Sequence, residues 1–87
     1  MLWLLEFDPA AAKEFAKLDR GVQKKLKTYL AEVCDLADPA VRGHGLTGPW
    51  AGFHRYRIGQ LRVIVSIERG VLIILVVKVD RRDSAYE

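Results

Sequence analysis

The chain opens on a short apolar run, Leu2 to Phe7, strand-sized and apolar on both faces. Asp8-Pro9 follows as a helix start, with a carboxylate at the cap and proline at the first helical position. Ala10 to Leu18 is helix-forming, Phe15 and Leu18 give it a small apolar edge, and Asp19-Arg20-Gly21 breaks it. The next pattern is cleaner. Val22, Leu26, Tyr29, Leu30, Val33 and Ala37 recur at three- and four-residue steps, which predicts a helix over 22–37 with one buried stripe. Lys24, Lys25, Lys27 and Glu32 fall to the wet side, and Cys34 sits beside the stripe as a small core residue.

Asp38 to Trp50 has no regular period. It holds Pro39, Gly43, Gly45, Gly48 and Pro49, so it reads as a loop, pinned to the body by Leu46 and Trp50. Three strands follow. Phe53 to Ile58 and Leu61 to Glu68 flank Gly59-Gln60, a tight hairpin turn, and Arg69-Gly70 turns the chain into a last strand, Val71 to Val79. The tail from Asp80 to Glu87 is polar. The order is β-α-α-β-β-β. The expected architecture is a single α+β domain over residues 1–87, with two antiparallel helices packed on a four-stranded sheet, antiparallel or mixed.

Composition narrows this further. Eighty-seven residues suffice for one small core, and a hydrophobic content of 51% with three prolines argues against disorder. The lone Cys34 rules out an internal disulfide and a cysteine metal cluster, and it fits a reducing, cytoplasmic setting. The opening segment lacks a basic leader and soon carries Glu6 and Asp8. It is expected to be neither a secretion signal nor a membrane span.

Charge changes the picture most. Residues 1–41 carry 6 basic and 7 acidic groups, whereas residues 42–87 carry 8 basic and 4 acidic. Between Phe53 and Ile67 stand Arg55, Arg57 and Arg62 with no acid at all. A two-residue turn at Gly59-Gln60 makes Ile58 face Leu61 and Arg57 face Arg62, so all three arginines share one face. Like charges directly opposite are destabilising unless something anionic sits between them. The planar guanidinium fork suits phosphate. Two readings stand at this point: a phosphate receptor, or an ordinary wet face to which Glu6 or Glu14 folds over. A floor of Ile64, Ile73, Leu75 and Val77 beside the arginines fits a nucleotide or a peptide, though a bulge at Arg69-Gly70 would change its parity. His54 alternates away from the arginines, and His44 lies in the glycine-rich loop. The two histidines form no metal motif. Arg81, Arg82 and Tyr86 lie beyond the last strand.

The sequence resembles the RelE/ParE superfamily of toxins from type II toxin–antitoxin pairs, on the RelE side. The likeness runs nearly end to end: Phe7-Asp8-Pro9, Leu46-Thr47-Gly48, Arg55-Tyr56-Arg57-Ile58-Gly59 with Arg62-Val63-Ile64, and Val79-Asp80-Arg81-Arg82 followed by Tyr86. Members like RelE cleave mRNA in the ribosomal A site, and those like ParE poison DNA gyrase. The resemblance implies a ribosome-dependent mRNA endonuclease with no cofactor, working by 2′-hydroxyl attack. Arg57, Arg62, Arg82 and Tyr86 would be its catalytic residues. Arg55, Arg81, Lys24, Lys25 and Lys27 would bind RNA. Its partners would be a cognate antitoxin, in a higher-order hetero-oligomer, and the 30S A site with its mRNA and rRNA, with no membrane involved. A gyrase inhibitor and a catalytically weak binding module remain alternatives. Asp80 stands where many relatives have histidine.

Overall fold

A computed structural model of the chain describes residues 2–81. Strand β1 (Leu4–Phe7) leads into helix α1 (Pro9–Ala16), and α2 (Arg20–Cys34) follows after a short break. A 3₁₀ turn, Pro39–Arg42, precedes the two-residue strand β2 (His44–Gly45), and a second spans Gly48–Trp50. Strands β3 (His54–Ile58), β4 (Leu61–Glu68) and β5 (Ile73–Arg81) complete the order.

The expected α+β layout holds, with the sheet enlarged by one strand. Among the described residues it has five strands in the order β1-β5-β4-β3-β2. β1 runs parallel to β5 and the other pairings are antiparallel, so the sheet is mixed. The added strand is β2, in the stretch read as loop. Gly43 and Gly45 hid it, and its pairing of His44 with Arg55 and Gly45 with His54 is a tertiary event. Gly43 lets the chain pass close to β3 there. A Cβ at that position would lie 3.0 Å from the Tyr56 ring and 3.2 Å from the Arg55 carbonyl oxygen.

Asp8 caps α1 by accepting the Ala11 N–H at 2.8 Å, with Pro9 inside the first turn, as its sequence position requires. α2 stops at Cys34 rather than Ala37. The Asp35 and Leu36 N–H groups tighten onto the Glu32 and Val33 carbonyls, and Asp38 ahead of Pro39 is extended, as a residue before proline prefers. Ala37 is therefore exposed and not part of the stripe. Leu26, Leu30, Val33 and Cys34 are fully buried against Tyr56, Val63, Val65, Ile74 and Val76. Trp3 joins them just ahead of β1, its N–H held by the Cys34 carbonyl at 3.0 Å. Trp50 pins little: it stays 39% exposed, edge-on to Phe53 at 5.3 Å. Among the described residues no helix is long and apolar enough to cross a membrane.

Candidate nucleic-acid interface

The helices cover one face of the sheet, and the arginines line the other. Gly59 has φ +58°, and Gln60 beside it keeps the ordinary negative sign, which is the type II′ pattern with glycine first. That turn locks the register, and Arg57 pairs with Arg62 as Ile58 pairs with Leu61. Alternation then carries Arg55 to the same side, away from buried Tyr56.

β5 completes the surface through an irregularity. Its pairing with β4 slips between Ile64 and Val65, so Ile64 faces Lys78 while Val65 faces Val76. The slip lies here rather than at Arg69-Gly70. Val77 is the extra residue of a bulge, and beyond it the parity of β5 reverses. Val79 turns to the core, while Lys78 and Asp80 turn outward. Two rows result across the open face: His44, Arg55, Ile64, Lys78 and, one step on, Arg57, Arg62, Asp80. Half-buried Ile64, within the first row, and Ile73 and Leu75 beyond it form the floor, whereas Val77, expected there, is taken up by the bulge.

The acids that were alternatives to a ligand go elsewhere. Glu14 accepts the Val79 N–H at 2.8 Å and lies 3.7 Å from the Lys78 ammonium. Glu6 is opposite Leu75 on β1, the edge strand two away from β4. Glu68 accepts the Ser66 hydroxyl. Among the described residues neither Arg55 nor Arg57 has a carboxylate partner, and the buried Arg55 Nε has no acceptor. A buried donor of that kind is costly unless a ligand oxygen meets it. Asp80 stands in register with Arg62, and its Oδ1 accepts the Arg81 N–H at 3.0 Å.

The other expected RNA-binding residues are spread out. Lys24 and Lys25 border a groove of about 430 Å³ between α2 and the β3–β4 turn, floored by Tyr29 and Ile58. Arg81 and Lys25 border a smaller one of about 210 Å³ beside Leu61. Lys27 instead lies over the Phe15 ring, 5.6 Å from its centre. Arg82 and Tyr86 lie outside the described residues. His54 is on the helix side, as alternation requires, with its buried Nδ1 lacking a partner among the described residues. His44, by contrast, joins the arginine face. The sequence offered no signal for it, because a two-residue strand has no period. Among the described residues no group of His, Cys, Asp and Glu could hold a metal ion.

The region beneath the site is braced by polar contacts. The Tyr56 hydroxyl donates to the Pro39 carbonyl at 2.8 Å, and burial pushes the phenol far up from its ordinary range. The Ala40 N–H and the Arg69 guanidinium hold the Asp38 carboxyl below the usual carboxylate range. Arg42 pairs with Glu32 at 3.0 Å and lies over Tyr29, 5.3 Å from its ring centre.

Comparison with known proteins agrees with this layout. The family model described as the ParE toxin of the type II toxin–antitoxin system, parDE, matches residues 5–86. The toxin–antitoxin complex RelBE2 from Mycobacterium tuberculosis superposes with a TM-score of 0.84 at 20% identity, covering 94% of this chain and 93% of that one. The isolated E. coli RelE toxin gives 0.76 at 22% identity, covering 91% and 83%. A YoeB/ParE toxin from Agrobacterium tumefaciens gives 0.75 at 13%, covering 90% and 96%. At these identities the structural likeness establishes the fold. No curated protein matches the chain.

Proposed function

The chain belongs to the ParE toxin family of type II toxin–antitoxin systems, and on that premise we propose that it is a ribosome-dependent mRNA endonuclease of the RelE kind. A cognate antitoxin would hold it in check, as the structural relatives are themselves described as toxin–antitoxin complexes. The observation that carries the reading is the open face itself. Arg57 is placed directly opposite Arg62, and neither Arg55 nor Arg57 has a carboxylate partner among the described residues. Guanidinium groups brought together on one face are suited to hold a shared phosphate.

The reaction is attack of a ribose 2′-hydroxyl on the adjacent phosphodiester, giving a 2′,3′-cyclic phosphate and a free 5′-hydroxyl. Arg62 and Arg82 stabilise charge on the phosphate as it develops. Arg57 holds the phosphate, and Tyr86 orients the base or assists proton transfer. Arg55, Arg81, Lys24 and Lys25 contact ribosomal RNA backbone, adding affinity without sequence choice. The ribosome supplies alignment of the message.

A second reading has one observation in its favour, because the matching family model is named for ParE. The toxin would then block DNA gyrase. Side-by-side assays separate the two. The nuclease reading expects the purified protein to arrest a cell-free translation reaction at concentrations that leave gyrase supercoiling untouched. Inhibited supercoiling with intact translation would reverse the assignment.

A further inference from the structure

Among the described residues the nuclease reading assigns no group to take the 2′-hydroxyl proton. Arginine stays protonated and cannot take it. An acceptor must stand within hydrogen-bond reach of a ribose whose phosphate is held by Arg57 and Arg62. On the open face four described residues can accept a proton: Glu6, His44, Glu68 and Asp80. Glu6 lies on β1, two strands from β4. Glu68 is at the opposite end of β4 and engaged with Ser66. His44 is two strands from β4 and one row displaced, more than about 10 Å from Arg62 by strand spacing and rise. Asp80 is the cross-strand partner of Arg62 itself, their backbones about 5 Å apart by the same spacing.

That position is built by the bulge. Without the extra Val77, the register through Val65 and Val76 would bring Val79 opposite Arg62 and turn Asp80 to the face of Leu61. With it, arginine, arginine and carboxylate stand in one row on three adjacent strands. The Arg81 N–H fixes Oδ1 of Asp80, and the second oxygen has no hydrogen bond among the described residues. The groups facing this carboxylate are Arg62 from β4, with Arg57 beyond it on β3, and on its own strand Lys78, tied to Glu14 of α1, and Arg81.

We propose, resting on the nuclease reading, that Asp80 is the proton acceptor of the cleavage. The 2′-hydroxyl proton passes to the free carboxylate oxygen as the 2′-oxygen bonds to phosphorus. The bond from phosphorus to the 5′-oxygen breaks, and the departing oxygen takes a proton from water. Asp80 returns its proton to solvent. Arg57 and Arg62 meet the charge on the non-bridging oxygens throughout.

Single-turnover cleavage on mRNA-programmed ribosomes tests this, with message binding measured in parallel. Asp80→Asn is expected to cut about 100-fold more slowly or worse, while binding RNA as tightly as wild type or tighter, since a negative charge is gone. Asp80→His is expected to recover part of the rate and to acquire a fall below about pH 6.5, the imidazole range. Glu6→Gln, on the same face but remote, should match wild type. An Asp80→Asn protein that cuts at or above the wild-type rate would overturn the proposal, because the carboxylate would then only compete with the phosphate. So would a loss on His44→Asn as deep as that on Asp80→Asn. Wild-type protein that cuts no message at all would remove the nuclease reading and this inference with it.

Discussion

Tyr56 heads the fully buried side chains by volume, and it takes a hydroxyl into the core with it. The Pro39 carbonyl accepts that hydroxyl, which ties the 3₁₀ turn to the strand bearing Arg55 and Arg57. Tyr56→Phe leaves a buried carbonyl unmet and should cost about 1–2 kcal/mol, read from urea unfolding at neutral pH. Burial raises the phenol pKa in the folded state. Its contribution is therefore complete below the unfolded value near 10 and is lost as pH rises above that. The alkaline decline in stability should shrink in Tyr56→Phe. Cys34 is wholly buried, and burial followed by neighbouring Asp35 pushes its thiol up. A thiol reagent should label it only as the protein unfolds. At this scale the pairing of Arg57 with Arg62 was legible, because a two-residue turn dictates register. Asp80 opposite Arg62 was not. Val71 to Val77 is uniformly apolar, so no polar residue sets the parity of the strand ahead of the bulge.

Elements owe their ends to individual side chains. β1 covers β5 only as far as Val76, where the Asp8 N–H closes the ladder at 2.9 Å. Past that point the outer edge of β5 is capped by α1, whose Glu14 takes the Val79 N–H. This cap holds the half of β5 that presents Lys78 and Asp80 to the open face. Glu14→Ala strands the Val79 donor and should destabilise by about 1–3 kcal/mol. Glu14→Gln keeps an oxygen acceptor and should lose less. Thermal unfolding of the two variants measures the difference, and equal losses would assign the effect to the Lys78 ion pair instead. The helices, the hairpin and the existence of a last strand were readable from period and turn chemistry. β5 runs Ile73–Arg81 rather than 71–79, because pairing with Leu61 and Arg62 of β4 draws Asp80 and Arg81 out of the expected tail and into the sheet. The parallel pairing of β1, the strand β2 and the end of α2 were not, since each is set by a partner distant in sequence.

Over the whole molecule charge is polarised, with the basic excess in the second half of the chain and the open sheet face its main outlet. Binding to RNA should therefore weaken with salt. The dependence on log salt should fall by roughly one unit when Arg57 or Arg62 becomes Ala, and should be unaltered by Glu6→Gln. Titration of the ribosome complex across ionic strength reads that slope. Family membership came through in the sequence from the arginine hairpin and the helix entry, and the match over residues 5–86 bears it out. The target is a property of the face and not of the fold, and it is decided by where a message is cut. Primer extension on an mRNA held in purified translating ribosomes locates the cut. The nuclease reading expects ends confined to the A-site codon with wild-type protein, and none with Arg62→Ala. Full-length message at saturating toxin would contradict it.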